Sequence, residues 1–405
     1  KSLIKPKYID TERMTKNIPR RIILGPGPSS AHPRILKAMS NPVMGYLDPD
    51  FFEILEEVSG MLSMLYNTEG TSFAIAGTGS AGMEAGLNCL AEDGEDVLIC
   101  NNGYFCERMI MMAERLNLNY SSLNFEWGTA IDLDLLENKL KNSNIKLVTA
   151  IHAETSTGVI NPIAEIGQLC KKYGAKFMVD CVTSLAGIEI KFDEWNIDYA
   201  YSGTQKCLAA PPGLSPVAIS EKSLDYIRNR EEAPSSWYLD LLGISEYWGK
   251  DHIAHQTTPV NLVYALREAL QITFEEGIES KFQRHELMSK ALKSGLKSLC
   301  LELPVDESIA LNQLTVVKIP EGIDDESFRT DLLRNYLIEI GRGLGEFSGK
   351  VWRIGLMGES CVASSVFGIL NAFENLLIKN NYEIEKGSSL SSASSIINSE
   401  FPRPY

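Results

Sequence analysis

From about residue 30 to residue 220, short apolar runs alternate with stretches of helical pattern. Phe73-Ala74-Ile75-Ala76, Asp96–Cys100, Lys146–Ile151, Lys176–Val179, Tyr199–Tyr201 and Pro216–Ile219 read as strands, while Ala81 to Leu90 has helix-forming composition with few breakers. This alternation predicts an α/β fold with a largely parallel central sheet between helices. A long amphipathic stretch, Val260 to Glu276, continues into Lys281 to Leu296 and leads to a smaller C-terminal α+β domain. Its strand candidates are Gln313–Ile319 and Trp352–Gly355. The expected division is an N-terminal arm at 1–24, a large domain at 25–282, a small domain at 283–382 and a tail at 383–405. The arm carries Lys1, Lys5, Lys7, Lys16, Arg20 and Arg21 with little periodicity, and Gly25-Pro26-Gly27-Pro28 breaks the chain after it. The tail is serine-rich, and too little apolar surface to offset the entropy of ordering predicts a loose segment.

Composition narrows the partners. The chain of 405 residues is 44% hydrophobic and 22% charged, ordinary values for a globular protein with a sizeable core. Its 53 acidic and 38 basic side chains give a net charge of −15, which repels nucleic acid and anionic membranes and points to a small-molecule partner. The eight cysteines form no C-x-x-C pair and do not group with the five histidines, so neither a metal site nor a disulfide framework is expected. That pattern suits a reducing, intracellular compartment. The cytoplasm is the first expectation, a peroxisome or mitochondrion the alternatives, and Arg403-Pro404-Tyr405 is not the usual peroxisomal ending. No apolar run approaches the length of a membrane span.

The segment Ala74-Ile-Ala-Gly-Thr-Gly-Ser-Ala-Gly-Met-Glu-Ala85 contains Gly77-x-Gly79-x-x-Gly82 between a strand and a helix. Unpaired N–H groups and the dipole of a helix N-terminus attract a phosphate, whatever molecule carries it. The same glycines also suit close packing of a helix on a strand. A dinucleotide is the runner-up, because the strand Asp96–Cys100 runs into Asn101-Asn102 where a ribose-binding acid is expected. Two further strand ends carry chemistry: Asp180 closes Phe177–Val179, and Lys206 follows the strand ending near Tyr201. Each alone reads as a cap or a surface cation. Together with the phosphate loop they supply what pyridoxal 5'-phosphate needs: an anion cradle, an amine for its aldehyde and an acid for its pyridine nitrogen.

In order along the chain, "LGPGPSSAHPRILKAM", "AGTGSAGMEA", "NNGYFCER", "HAETSTGVINP", "VDCVTSLAG", "SGTQKCLAAPPGLS", "TTPVNLVYALREAL" and "VWRIGLMG" resemble the class V pyridoxal-phosphate aminotransferases of fold type I. The likeness is strongest to the alanine:glyoxylate and serine:pyruvate branch and covers about residues 22 to 375. It implies that Lys206 is the Schiff-base lysine and that Asp180 pairs with the pyridine nitrogen. It further implies that Phe105 stacks on the cofactor opposite Val182, that Thr78, Gly79, Ser80 and Gln205 hold the phosphate, and that Ser156 lies near the ring hydroxyl. Arg353 corresponds to the anchor of the substrate carboxylate. A homodimer is implied, with Thr257 reaching the neighbouring subunit's phosphate, and with Gly27 of "GPGPS" and Tyr46 of "GYLDPDF" lining the neighbour's substrate pocket. Two positions depart from the pattern: Ala254 replaces a tyrosine of many relatives, and Tyr46 stands where histidine is frequent.

The resemblance predicts a ping-pong transaminase moving the amino group of alanine or serine to glyoxylate or pyruvate. Ureidoglycine:glyoxylate transamination is the alternative. Aminoethylphosphonate chemistry lacks a basic cluster for the phosphonate. Cysteine desulfuration lacks a cysteine on a loop after the lysine, since nothing between Cys300 and Cys361 supplies one, and Gln205 stands where desulfurases place a histidine. A non-catalytic cofactor-binding scaffold has no physical need for Lys206, Asp180 and Arg353 together.

Overall fold

The computed structural model describes residues 18–400. A seven-stranded sheet runs Thr71–Ala76, Leu214–Ile219, Tyr199–Tyr201, Lys176–Asp180, Ile145–Ile151, Asp96–Asn101, Tyr120–Asn124. Only Leu214–Ile219 is antiparallel to its neighbours; the other pairs are parallel. The inner strands are mostly apolar and almost wholly buried, as expected where helices cover both faces. The edge strand Tyr120–Asn124 escapes the apolar-run reading because it is polar and half-exposed.

Strand register delivers the chemistry. Cα partners Ile151 and Asp180 finish adjacent parallel strands, and Asp180 in turn lies opposite Tyr201. Three strand ends therefore meet at one edge of the sheet, where ligands of such folds collect.

The second core is built on Leu314–Lys318 paired antiparallel with Val351–Gly355, which also pairs with Gly341–Arg342. Val260–Glu276 and Ile278–Ser298 are separate helices, broken at Gly277 with φ 87°. The second helix packs its Leu287, Met288, Leu292 and Leu296 into this core beside Trp352 and Phe373.

Two expectations need correction. Residues 1–17 of the expected arm lie outside the described residues, but its end is not free: Ile22–Ile23 pairs in parallel with Ile338–Glu339, and Leu24 is fully buried in the second core. The serine-rich segment is not loose either. Ser388–Glu400 forms a helix against Ile278–Ser298, with Ala393 and Ser389 buried. Its start is fixed by Glu374, which accepts from Gly387 N at 2.8 Å, Ser389 N at 3.1 Å and the Ser389 hydroxyl. One buried carboxylate supplies the anchoring that composition did not reveal.

Candidate active site

At the end of Thr71–Ala76 the chain turns at Gly77, with φ 145° and its N–H bonded to Gly213 O at 2.9 Å. Thr78 occupies the cap position of the helix Gly79–Leu90, yet its side chain makes no capping bond. The first N–H groups of that helix are thus left open to an exogenous anion. A β-carbon at Gly79 would lie 2.7 Å from Val182 Cγ2, and one at Gly82 would lie 2.7 Å from Tyr201 Cβ. Both roles of the glycine loop are therefore present: Gly77 and Gly79 shape the cradle, and Gly82 lets the helix press on the sheet.

Asp180 Oδ2 accepts from the Tyr201 hydroxyl at 2.7 Å and Oδ1 from Val182 N at 2.8 Å. Burial outweighs these bonds and pushes its carboxyl up to about 6. Lys206 is 8% exposed, and burial, reinforced by the Arg353 charge, pushes its ammonium down to about 8. No ion pair joins Lys206 to Asp180, though both line one cleft together with Thr78, Gly79, Ser80, Phe105, Val182 and Gln205. The sequence-predicted cradle, acid, amine and stacking aromatic are brought together here.

The Lys206 ammonium donates to Pro26 O, and any side chain at Gly27 would collide with its tip. Ser29 ties the same loop down through its N–H to Gln205 O at 2.8 Å and its hydroxyl to Lys206 O at 2.6 Å. This corrects the assignment of the "GPGPS" loop to a neighbour's pocket: Gly27 packs on the lysine of its own chain.

Arg353 is 4% exposed and forms no ion pair among the described residues. Its Nε donates to Arg342 O at 2.7 Å and its Nη1 to Thr155 O at 3.1 Å. Burial lowers its guanidinium to about 10, with the neighbouring Arg342 charge adding to the effect. A buried guanidinium satisfied only by carbonyls is a place for an outside carboxylate. Thr155, the acceptor, itself lines the cleft.

Ser156 stands one layer back. Its hydroxyl accepts from Tyr104 N at 2.9 Å, and its own N–H donates to Glu154 at 2.8 Å. Glu154 is fully buried, which pushes its carboxyl up to about 7. Because Gly103 cannot cap the helix Tyr104–Arg115 with a side chain, this pair fixes the helix that presents Phe105. Tyr46 is half-buried and Thr257 exposed, and neither lines the cleft within one chain.

Sequence reading missed Arg108, Thr155, Glu154 and Tyr201. Arg108 had a signal, its three-residue spacing from Phe105 on one helix face. Tyr201 had none, because a tyrosine in a buried strand reads as core.

The sequence profile of the family described as Aminotransferase class-V matches residues 50–354. The (S)-ureidoglycine–glyoxylate transaminase of Bacillus subtilis is 39% identical over 394 residues, covering 93% of this chain and 95% of the relative. The alanine–glyoxylate aminotransferase of Drosophila melanogaster is 36% identical over 360 residues, covering 87% and 91%. Among solved structures, the alanine–glyoxylate aminotransferase of Nostoc sp. superposes with a TM-score of 0.88 at 39% identity, covering 92% of this chain and all of that one.

Proposed function

The chain belongs to the class V aminotransferases, and from that premise we propose that it transfers the amino group of alanine or serine to glyoxylate or pyruvate in two half-reactions. The observation that carries this reading is the meeting of Lys206, Asp180 and an uncapped helix N-terminus in one cleft, beside a buried arginine without a carboxylate.

Pyridoxal 5'-phosphate is the cofactor of the family, and the residues present fit it. The open N–H groups at Gly79 and Ser80 suit its phosphate, and Gln205 lines the same cleft with a side-chain amide whose Nε2 can donate to it. The bare backbone at Gly79 leaves no β-carbon against Val182, and Phe105 lines the same cleft, so a flat ring has two walls. When bound, the cofactor supplies an aldehyde that holds the substrate nitrogen and a ring that draws electrons from the α-carbon.

The protein's own groups do the rest. Asp180, already oriented by Tyr201 and Val182, holds a proton on the ring nitrogen, and that positive partner replaces the solvation it has lost. Lys206, whose neutral form burial favours, takes the proton from the α-carbon and returns it one atom away. Arg353 grips the α-carboxylate common to every donor and acceptor, so it selects the class of substrate and not the member. Ser156 acts through Tyr104 by holding Phe105 in place.

The active unit in this reading is a homodimer. Val43, Trp237 and Ile253 are 73%, 64% and 53% exposed. Tyr46 is held by Tyr247, whose hydroxyl donates to Tyr46 O and whose carbonyl meets the His252 ring at 3.1 Å. Large exposed apolar side chains suit burial against a second copy, and in this reading that copy receives Thr257 and Tyr46 at its cleft. The eight cysteines, none bridged, are in keeping with a reducing intracellular compartment, the cytoplasm first. Among the described residues no helix is long and apolar enough to cross a membrane.

The test is a donor screen with glyoxylate as acceptor. Alanine or serine should yield pyruvate or hydroxypyruvate with equimolar glycine, and Lys206→Ala should abolish both turnover and the visible absorption of the loaded protein. A second reading, ureidoglycine as donor, is favoured by the likeness to the Bacillus enzyme. Turnover of that donor with none of alanine or serine would replace the first reading.

A further inference from the structure

Arg108 is a cationic lining residue of the cleft with no part in the roles assigned above. It lies on the helix Tyr104–Arg115, one turn beyond Phe105, and its guanidinium carbon sits 4.8 Å from the centroid of that ring. Its Nη1 donates to the Ser80 hydroxyl at 3.3 Å. Among the described residues it meets no carboxylate and no other acceptor. The guanidinium therefore stands beside the phosphate cradle, over an aromatic face, with most of its five N–H donors uncommitted.

Charge balance gives this placement a meaning. A phosphate monoester brings close to two negative charges, whereas a helix N-terminus offers roughly half a positive one. Lys206 cannot make up the difference as a cation while its neutral form does the chemistry, and Arg353, bonded to Thr155 O, is assigned to the substrate carboxylate. Resting on the reading of the cleft as a pyridoxal-phosphate site, we propose that Arg108 is a phosphate-binding residue, forming a charge-assisted bond to the cofactor's phosphate in concert with Ser80. The Ser80 contact holds its place until the phosphate arrives, and stacking on Phe105 couples the phosphate end of the site to the wall against which the ring lies. The cleft then carries a guanidinium for each anion: Arg108 for the phosphate and Arg353 for the carboxylate.

The experiment uses the purified apo-protein and measures binding by tryptophan fluorescence and calorimetry. Pyridoxal phosphate, pyridoxal without its phosphate, and inorganic phosphate are the probes, against the natural chain, Arg108→Gln and Arg108→Lys. Loss of one charge-assisted bond should weaken pyridoxal phosphate about 10- to 100-fold in Arg108→Gln. Inorganic phosphate should weaken in parallel, pyridoxal should bind as before, and Arg108→Lys should recover part of the loss. A melting curve on each variant confirms the fold, and the lysine variant serves if the glutamine variant is unstable. An equal loss for pyridoxal would overturn the proposal in favour of a role confined to Phe105. Unchanged affinity for all three probes, with a raised KM for the amino donor, would overturn it in favour of substrate recognition. Failure of the natural chain to take up pyridoxal phosphate at all would instead remove the functional reading on which the proposal rests.

Discussion

Lys206 owes its availability as a nucleophile to where it sits. Burial and the Arg353 charge both favour the free amine, and Asp180 pulls only weakly the other way. Attachment of an aldehyde to the apo-protein should therefore follow the neutral fraction, rising with pH and reaching half its maximum near pH 8, well below an ordinary lysine. Arg353→Met removes a nearby positive charge, stabilises the ammonium and should move that midpoint upward; stopped-flow absorbance across the pH range reads both. Arg353→Lys keeps the charge but loses the two-pronged grip, worth about 1.5–3 kcal/mol for one charge-assisted bond. The expected result is a fall of about 10- to 100-fold in kcat/KM for alanine and for glyoxylate alike. At this scale the sequence was legible wherever a residue's chemistry is unusual for its place, as with an acid closing a parallel strand or an amine in the loop beyond one. It was silent where the residue type is ordinary: Tyr201 orients Asp180 from inside a buried strand, and Glu154 acts through a serine and a helix end.

Elements were readable from their periodicity when the period was clean. The buried strands of the central sheet and the helix at Gly79 followed from apolar runs and breakers, and the half-exposed Tyr120–Asn124 did not. The serine-rich helix shows the limit most plainly. Its stability comes from contacts with Ile278–Ser298 and from Glu374, a residue outside the segment, so no window over residues 388–400 contains the cause. Removing that anchor should release it. Glu374→Ala leaves the start of the helix without its acceptor, with an expected cost of about 1–3 kcal/mol. Limited proteolysis should then cut the variant near Gly387 under conditions in which the natural chain resists, and the denaturation midpoint should fall.

At the scale of the whole molecule, the two cores meet at the candidate site. The sheet edge supplies Asp180 and Lys206, and the second core supplies Arg353, whose bond to Thr155 crosses from one to the other. The exposed apolar surface at Val43, Trp237 and Ile253 suits assembly of two copies. Trp237→Glu places a charge in that surface, and analytical ultracentrifugation should find its dissociation constant raised by about tenfold or more. If Thr257 serves the neighbouring cleft, cofactor affinity should decline as the variant is diluted, which a self-sufficient monomer would not do.

The pairing of Ile22–Ile23 with Ile338–Glu339 has a consequence for biosynthesis. Its two sides are separated by more than three hundred positions, so at roughly 5–20 residues per second a ribosome delivers the second side tens of seconds after the first. Until then the backbone that leads into Pro26 and Gly27 lacks this strand pairing and rests on the bonds of Ser29 to Gln205 and Lys206. The loop over Lys206 is therefore held from one side alone in the nascent chain, and the second hold arrives only when Ile338–Glu339 has emerged.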